Sequence, residues 1–481
     1  MTDKPNIVFI ITDQQRLDTI AANGFDHMTT PHLDALVHQG AVFENMYVTA
    51  PVCSPSRASL FSGTYPHTNG VFRNDEPWNY SWVGALADTG YHCVNVGKMH
   101  TCPMEASFGF HERHVVENKD RDHPGLPFFL DNWDKALQAR KAYKPSRYVH
   151  YPDLPDYEER LGAFIWEQDE DLHPDVFVGE TACWWLDRFR GDKPFFLQIG
   201  FPGPHPPYDP TQGYVDLYEG RDLPKPIRDY DLDTQPAPLR QLRKNHTLHA
   251  HDAVVHLENP TDEQMYRQRQ YYYANMTMID TQVGQIVAKL KAMDVLDNTV
   301  IIFTTDHGDC LNDHGHSQKW NMYEQSVHVP AVMCWPGRIS GGVKVPELVS
   351  LMDFGPTILE IAGCDVPDWM EAQSLYDVVF RERDVDRPRV FTEAADDGLL
   401  NGTNFMTMVR EGPWKLVHFV DHEDGQLFNL EDDPGERVSL WHDPEYQDVR
   451  LRLEKEILTW RIEAARKTQG FVRHLADATR R

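Results

Sequence analysis

Cysteine is scarce and scattered in this chain. Its seven residues (Cys53, Cys93, Cys102, Cys183, Cys310, Cys334, Cys364) are odd in number and include no Cys-x-x-Cys pair. That excludes a disulfide framework and a thiolate zinc site, and it is the usage of a reducing compartment. Positive charge is short as well: 46 Lys and Arg stand against 74 Asp and Glu, for a net charge of −28. A surface of that sign repels nucleic acid and anionic membranes. No apolar run approaches the length of a membrane span. The opening Met1-Thr2-Asp3-Lys4-Pro5-Asn6 has no basic region followed by an apolar one, so no secretory signal is read there and the expected location is cytoplasmic. Internal repeats and low-complexity tracts are also missing. These absences leave a globular protein of 481 residues, 41% hydrophobic, long enough for a large core and a second unit. An anionic substrate would be drawn only by a local cluster of basic groups, because the overall field opposes it.

Buried-strand signals punctuate the first three quarters of the chain. Residues 6–12 form an unbroken β-branched and aromatic run ending at Asp13-Gln14, and 299–304 form another ahead of Asp306-His307. Such runs read as strands buried on both faces of a parallel sheet, and ligands of open α/β sheets sit just past their C-terminal ends. Taken alone, an acid in that place is more often a helix cap. Shorter runs at 91–96 and 194–200 lead into Gly97-Lys98-Met99-His100 and into the Pro-rich turn that holds His205. In an extended chain Lys98 and His100 face one side, and the flanking prolines stiffen the backbone at His205. Helices are predicted over 31–40, with Gly40 as the stop, over 174–190, with Trp184, Trp185 and Phe189 partly inward, and from about 261 to 293, where Thr261 and Gln264 stand in capping-box positions. Strands alternating with helices over 1–375 predict an α/β domain with a mainly parallel sheet flanked by helices. Polar insertions at about 101–175 and 209–260 should shape the substrate mouth. Residues 376–481 change character: four short strands near 390, 405, 414 and 426 predict a small antiparallel sheet, followed by a long helix from about 443 to 469 with Gly470 as its stop. The tail beyond carries Phe471, Val472 and Leu475 without an evident home, so a homo-oligomer built through it is expected.

The chemistry converges on Pro51-Val52-Cys53-Ser54-Pro55-Ser56-Arg57 and the Ala-Ser-Leu-Phe that follows. A helix starting here puts Arg57 about one turn from Cys53, facing the same anion, with free N–H groups and a positive dipole end aimed at that place. A lone cysteine is ordinarily a small buried hydrophobe. Here the rest of the chain supplies what an oxyanion-ester hydrolase needs: a hard cation, positive groups around the nonbridging oxygens, and an acid for the leaving oxygen. Asp13, Gln14, Asp306 and His307, joined by residue 53, offer a compact site for one divalent ion. Oxygen ligands suit calcium, magnesium or manganese, and the imidazole tilts the choice toward manganese. Arg57, Lys98, His100, His205 and Lys319 supply the local positive charge.

These landmarks resemble the formylglycine-dependent sulfatases. Cys53-x-Pro55-Ser56-Arg57 with Ala-Ser-Leu after it is similar to that family's signature. Gly97-Lys98-Met99-His100, Gly203-Pro204-His205-Pro206, Thr304-Thr305-Asp306-His307-Gly308 and the stretch 427–436 follow in the family's order. The resemblance implies an alkaline-phosphatase-like fold and oxidation of Cys53 to formylglycine by a formylglycine-generating enzyme. It implies metal ligation by Asp13, Gln14, residue 53, Asp306 and His307. Arg57 and Lys98 would steady the aldehyde hydrate and the sulfate, His100 would help the inorganic anion leave, and His205 and Lys319 would bind the sulfate and the leaving oxygen. The implied reaction is hydrolysis of aryl or alkyl sulfate monoesters. The chain departs from the family's pattern where many sulfatases carry Asp-Asp and Asp-Asn instead of Asp13-Gln14 and Asp306-His307. Those pairs, and Asn74 as a substrate-binding residue, resemble the phosphonate monoester hydrolase branch, whereas Lys98 and His100 resemble true sulfatases. Cleavage of phosphonate monoesters or phosphodiesters by the same site is therefore the alternative. Further readings are a metal-dependent phosphatase or phosphomutase of the same fold with an unmodified nucleophile such as Ser54 or Ser56, a noncatalytic binding protein, and a zinc hydrolase built on His314-Gly315-His316.

Overall fold

The apolar run near the N-terminus becomes the middle of the main sheet. In the computed structural model, which describes residues 4–121, 129–191, 193–381, 383, 387–395 and 403–478, β1 (Asn6–Asp13) is buried along almost its whole length. The other strands of this sheet are β2 (Ala41–Tyr47), β3 (His92–Gly97), β4 (Glu112–Val115), β5 (Phe195–Pro204), β6 (Thr299–Thr305), β7 (His328–Val329), β8 (Val332–Cys334) and β9 (Val343–Ser350). Their order is β4-β3-β5-β1-β6-β8-β2-β7, with β9 against β2. From β4 to β6 all neighbours are parallel, while β8 runs antiparallel to both β6 and β2. The sheet is mainly parallel with an antiparallel margin.

Alternation along β1 divides the core. Ile7, Phe9 and Ile11 join one apolar cluster, which includes Leu60 and Phe61 of α2 (Cys53–Ser62) and Phe354 and Ile358 of a later helix, 354–361. Val8 and Ile10 join a second, with Leu33 of α1 (Pro31–Gln39), Leu186 of α3 (Pro174–Arg188) and Ile279 of α4 (Asp262–Ala292). Helices therefore cover both faces, and each large side chain so buried contributes about 1.5–3 kcal/mol. The capping box of α4 is present: Gln264 N–H donates to Thr261 Oγ1 (3.2 Å) and Thr261 N–H to Gln264 Oε1 (2.8 Å).

The C-terminal unit is a four-stranded antiparallel sheet, β10 (Arg389–Ala395), β11 (Phe405–Glu411), β12 (Trp414–Phe419) and β13 (Gln426–Asn429), with α5 (Gln447–Lys467) packed on it. Three expectations are corrected. Trp184 is not inward: it is 46% exposed, with the Arg188 guanidinium over its ring, because the helical period gives the inner face to Trp185. Gly470 does not end the helical region, since α6 (Gln469–Ala478) follows α5 directly. Phe471 does have a home in its own chain, stacked on Trp369 at 4.4 Å and set edge-on to Tyr80, so it gives no reason for a partner subunit. Leu475's side chain lies outside those described.

Candidate active site

Helix α2 begins at Cys53 itself. Pro55 is tolerated because N–H groups of a first turn have no intrahelical partner, and Gly63, at φ 72°, closes the other end with its N–H on Ser59 O. All ten residues of α2 are buried, so its N-terminus opens inside the protein, against the C-terminal edge of the sheet. There β1 and β6 run side by side with Thr12 opposite Thr305, which brings Asp13 and Asp306-His307 together. Cys53 Sγ lies 3.4 Å from Asp13 Oδ1, 3.2 Å from His307 Nε2 and 3.0 Å from Lys319 Nζ. Asp13, Cys53, Asp306 and His307 each place a ligand atom within 4.8 Å of the others.

Gln14 enters the same centre through an uncommon backbone. Its φ of 68° lies in the left-handed region, a cost of about 1–3 kcal/mol for a non-glycine residue. The surroundings enforce it: its N–H donates to Asp306 Oδ1 (3.1 Å), and Tyr272 O–H donates to its carbonyl (2.7 Å). Its Oε1 then accepts from Lys319 Nζ at 2.8 Å.

This donor set fits a hard divalent cation. The Nδ1–H of His307 donates to Gly308 O (2.9 Å), which leaves the lone pair on Nε2. That nitrogen faces Asp13 Oδ1 at 3.7 Å and Asp306 Oδ1 at 3.6 Å. Buried acceptors turned on one another repel, and a cation among them resolves it. Burial, the largest influence, lowers the pKa of His307 and keeps the ring in its ligating form. Burial works to raise Asp13, but Lys98, His205, Lys319 and Arg57 together hold it well below the usual carboxylate range.

The basic groups divide into two kinds. Lys98 pairs with Asp13, and Lys319 reaches both residue 53 and Gln14. Burial opposes the charge on Lys319, but Cys53, Asp13 and Asp252 outweigh it and raise its pKa. Arg57 stands behind the centre: its Nε donates to Asp306 Oδ2 (2.6 Å), its Nη1 to Lys98 O (3.0 Å) and its Nη2 to Thr12 O (3.1 Å). His205 and His100 border the site as neutral rings, each lowered mainly by burial and then by the nearby lysines. His205 donates from Nδ1 to Pro206 O (2.7 Å) and lies 3.5 Å from Asp252. The chain is not extended at His100, whose φ is 61°, and its N–H donates to Glu117. Asn74 Oδ1 accepts from Ser54 N–H at 3.0 Å, capping the first turn of α2.

A family model described as Sulfatase matches residues 5–364, and one described as N-sulphoglucosamine sulphohydrolase, C-terminal, matches 312–463. The chain belongs to the sulfatase family. This sulfatase is 29% identical to an arylsulfatase of Clostridium perfringens, over 97% of its own length and 96% of the relative's. It is 30% identical to a choline-sulfatase of Rhizobium meliloti, over 92% and 83%. Its fold is alkaline-phosphatase-like. Among solved structures, the phosphonate monoester hydrolase of Agrobacterium radiobacter superposes with a TM-score of 0.78 at 24% identity, covering 96% of each chain.

Ser54 and Ser56, the unmodified nucleophiles considered above, are both occupied in this sulfatase. Ser54 Oγ accepts from Trp78 Nε1 (2.9 Å), and Ser56 Oγ donates to Asp306 O (2.6 Å). The Cys53 thiol is itself pushed up to about 12, by burial first and then by Asp13, so it is no thiolate nucleophile. His314 and His316 build no zinc site: His314 stacks on Tyr323 at 3.7 Å and bonds to Tyr230, and among the described residues the one metal-ligating group is that around Cys53. Sequence reasoning missed Asp309 and Asp252. Asp309 stands three residues past Asp306, a signal that was available. Asp252 lies in an irregular insertion that no spacing links to His205.

Proposed function

We propose that this sulfatase hydrolyses aryl or alkyl sulfate monoesters, with residue 53 converted to formylglycine and one divalent cation, calcium or manganese, held by Asp13, Gln14, residue 53, Asp306 and His307. The observation that carries the reading is the convergence of Lys319, Asp13 and His307 on Cys53, each within 3.4 Å. Converted to formylglycine, residue 53 supplies as its hydrate a nucleophilic oxygen and a second hydroxyl that lets the inorganic anion leave. The cation, when bound, polarises the ester oxygens. Lys98 and Lys319 offset the charge of the bound anion in a protein whose net charge opposes it. Lys319, held protonated, donates to the leaving oxygen, and neutral His205 lies beside it. Arg57 keeps Asp306 in place. The reading brings with it a formylglycine-generating enzyme as partner; the separate proposal of a cytoplasmic location is supported by the scattered, unpaired cysteines.

The second reading, a phosphonate monoester hydrolase, is favoured by Gln14, His307 and Asn74 in their places around residue 53. The test is kcat/KM for 4-nitrophenyl sulfate and for a 4-nitrophenyl phosphonate monoester, wild type against Cys53→Ala, with peptide mass reporting the aldehyde. Preference for the sulfate, a Cys53→Ala variant slower by at least about a thousandfold, and an aldehyde mass support the first reading. Preference for the phosphonate transfers the protein to the second, and an active Cys53→Ala variant refutes both.

A further inference from the structure

Asp309 has no part in the chemistry above, yet it is a fully buried carboxylate one side chain away from the metal ligands. Its Oδ2 accepts from Gln14 Nε2 at 2.7 Å and from Tyr208 O–H at 2.7 Å, and its Oδ1 accepts from Leu311 N–H at 2.9 Å. At its other end the Gln14 amide accepts from Lys319 Nζ at 2.8 Å. A side-chain amide has two nearly isosteric ends, one that only donates and one that only accepts. Here both neighbours are unambiguous, because a carboxylate accepts and an ammonium donates. Flipping the amide would set its oxygen against Asp309 and its NH2 against Lys319, replacing two charge-assisted hydrogen bonds by two repulsions.

We infer that Asp309 is a positioning residue that turns the Gln14 amide so that its oxygen, not its nitrogen, faces the metal centre, and that Asp309 is thereby the partner that makes glutamine rather than an acid the workable residue at position 14. Of the two ends of an amide only the oxygen has a lone pair free to ligate a cation, so an unfixed amide would present a ligand in one orientation and an N–H group in the other. A carboxylate at 14 would confront that of Asp309 across a distance now bridged by a proton. The backbone of Gln14, pinned on both sides by Asp306 and Tyr272, leaves amide rotation as the freedom that remains to be fixed. The inference rests on the reading that a divalent cation occupies this site.

The test is a double-mutant cycle on cation affinity. Calcium and manganese are titrated separately, by calorimetry, into chelator-stripped wild type, Asp309→Asn, Gln14→Glu and the double variant, with thermal unfolding as a check on folding. In Asp309→Asn, Leu311 N–H holds the new amide's oxygen, so its NH2 faces Gln14 and favours the flipped orientation; affinity should fall about tenfold. Gln14→Glu should also lose about tenfold or more, since two buried carboxylates then meet. In the double variant the new amide at position 309 donates to the new carboxylate at position 14. The hydrogen bond is restored with reversed polarity, and affinity should return to within about threefold of wild type or exceed it. If Asp309→Asn does not fold alone, a double variant that folds and binds more tightly than Gln14→Glu supports the inference. Wild-type binding with an unchanged Asp309→Asn affinity, or a double variant no better than the weaker single one, overturns it alone. Wild type that binds neither cation overturns the metal reading and the inference together.

Discussion

Around residue 53 the ion pairs work because each is closed on several sides. Asp13 is a buried carboxylate in contact with a thiol and facing an imidazole, a place where burial alone would raise its pKa; Lys98 is the largest of the influences that reverse this. A carboxylate lowered in the folded state contributes stability that is present above its unfolded pKa, about 3.9, and is lost as pH falls through the folded value. Asp13 therefore stays ionised through the mildly acidic range. Lys98→Met removes the leading attraction and should move the acid limb of the kcat/KM profile to higher pH, read from a profile over about pH 4 to 7. A limb that does not move would mean that Lys98 acts on the bound anion and not through Asp13.

At the scale of elements, the site depends on how closely β3 and β5 approach. Lys98 N–H donates to Gly200 O at 2.7 Å, and a Cβ placed on Gly200 would sit 1.8 Å from Lys98 O. Gly200→Ala should thus push the end of β3 away, costing about 1–3 kcal/mol or more as overpacking, and the lost melting temperature should be accompanied by lost turnover because Lys98 moves with the strand. The helix 237–248 and the loop after it carry a different liability. His246 is lowered to about 3 and His256 to about 4, in each case chiefly by burial; the two rings lie 6.1 Å apart, with His246 packed on Trp320 at 5.4 Å. A histidine whose folded pKa is depressed binds fewer protons folded than unfolded, so stability falls as pH drops below about 6.5. Melting temperature should decline between about pH 6 and 4, and His246→Leu should flatten that decline. An equally steep decline in the variant would place the acid sensitivity elsewhere.

For the whole molecule the question is what joins the two sheets. Lys415 of β12 is fully buried and pairs with Glu324 (2.8 Å), just ahead of β7, and with Glu436 (2.7 Å), while Glu324 N–H donates to Glu436 Oε2. Burial raises Glu436, Lys415 opposes it, and the neighbouring Glu324 adds to the rise. Lys415→Met leaves buried Glu436 and half-buried Glu324 without their shared cation, and breaking a buried pair typically costs about 3–5 kcal/mol. Denaturant unfolding should show that loss. If stability is unchanged, the junction is held by its other contacts, among them Arg387 with Asp353, His67 with Glu393 and Gln426 with Tyr323.

The local motifs were legible because they are backbone and pattern phenomena. The run at 6–12 could only be a buried strand, the Thr261–Gln264 cap could be read from spacing, and Cys53 through Arg57 announced a helix start by the order of residue types. Gly470 misled because propensity is a weak force beside packing: the ring of Phe471 against Trp369 and Tyr80 holds the chain in place after it. The sequence by itself determined which residue types stand at the ends of which strands, since period and strand termination are set by neighbours along the chain. Only the tertiary structure decided what those residues do to one another. Asp13 and Asp306 meet because β1 and β6 pair in register, Arg57 is held behind the centre because Asp306 and the Thr12 carbonyl accept its donors, and the Gln14 amide has a direction because Asp309 and Lys319 flank it. Charge and hydrogen-bond polarity act through space at a few ångströms, and residues hundreds of positions apart come that close only when the chain has folded.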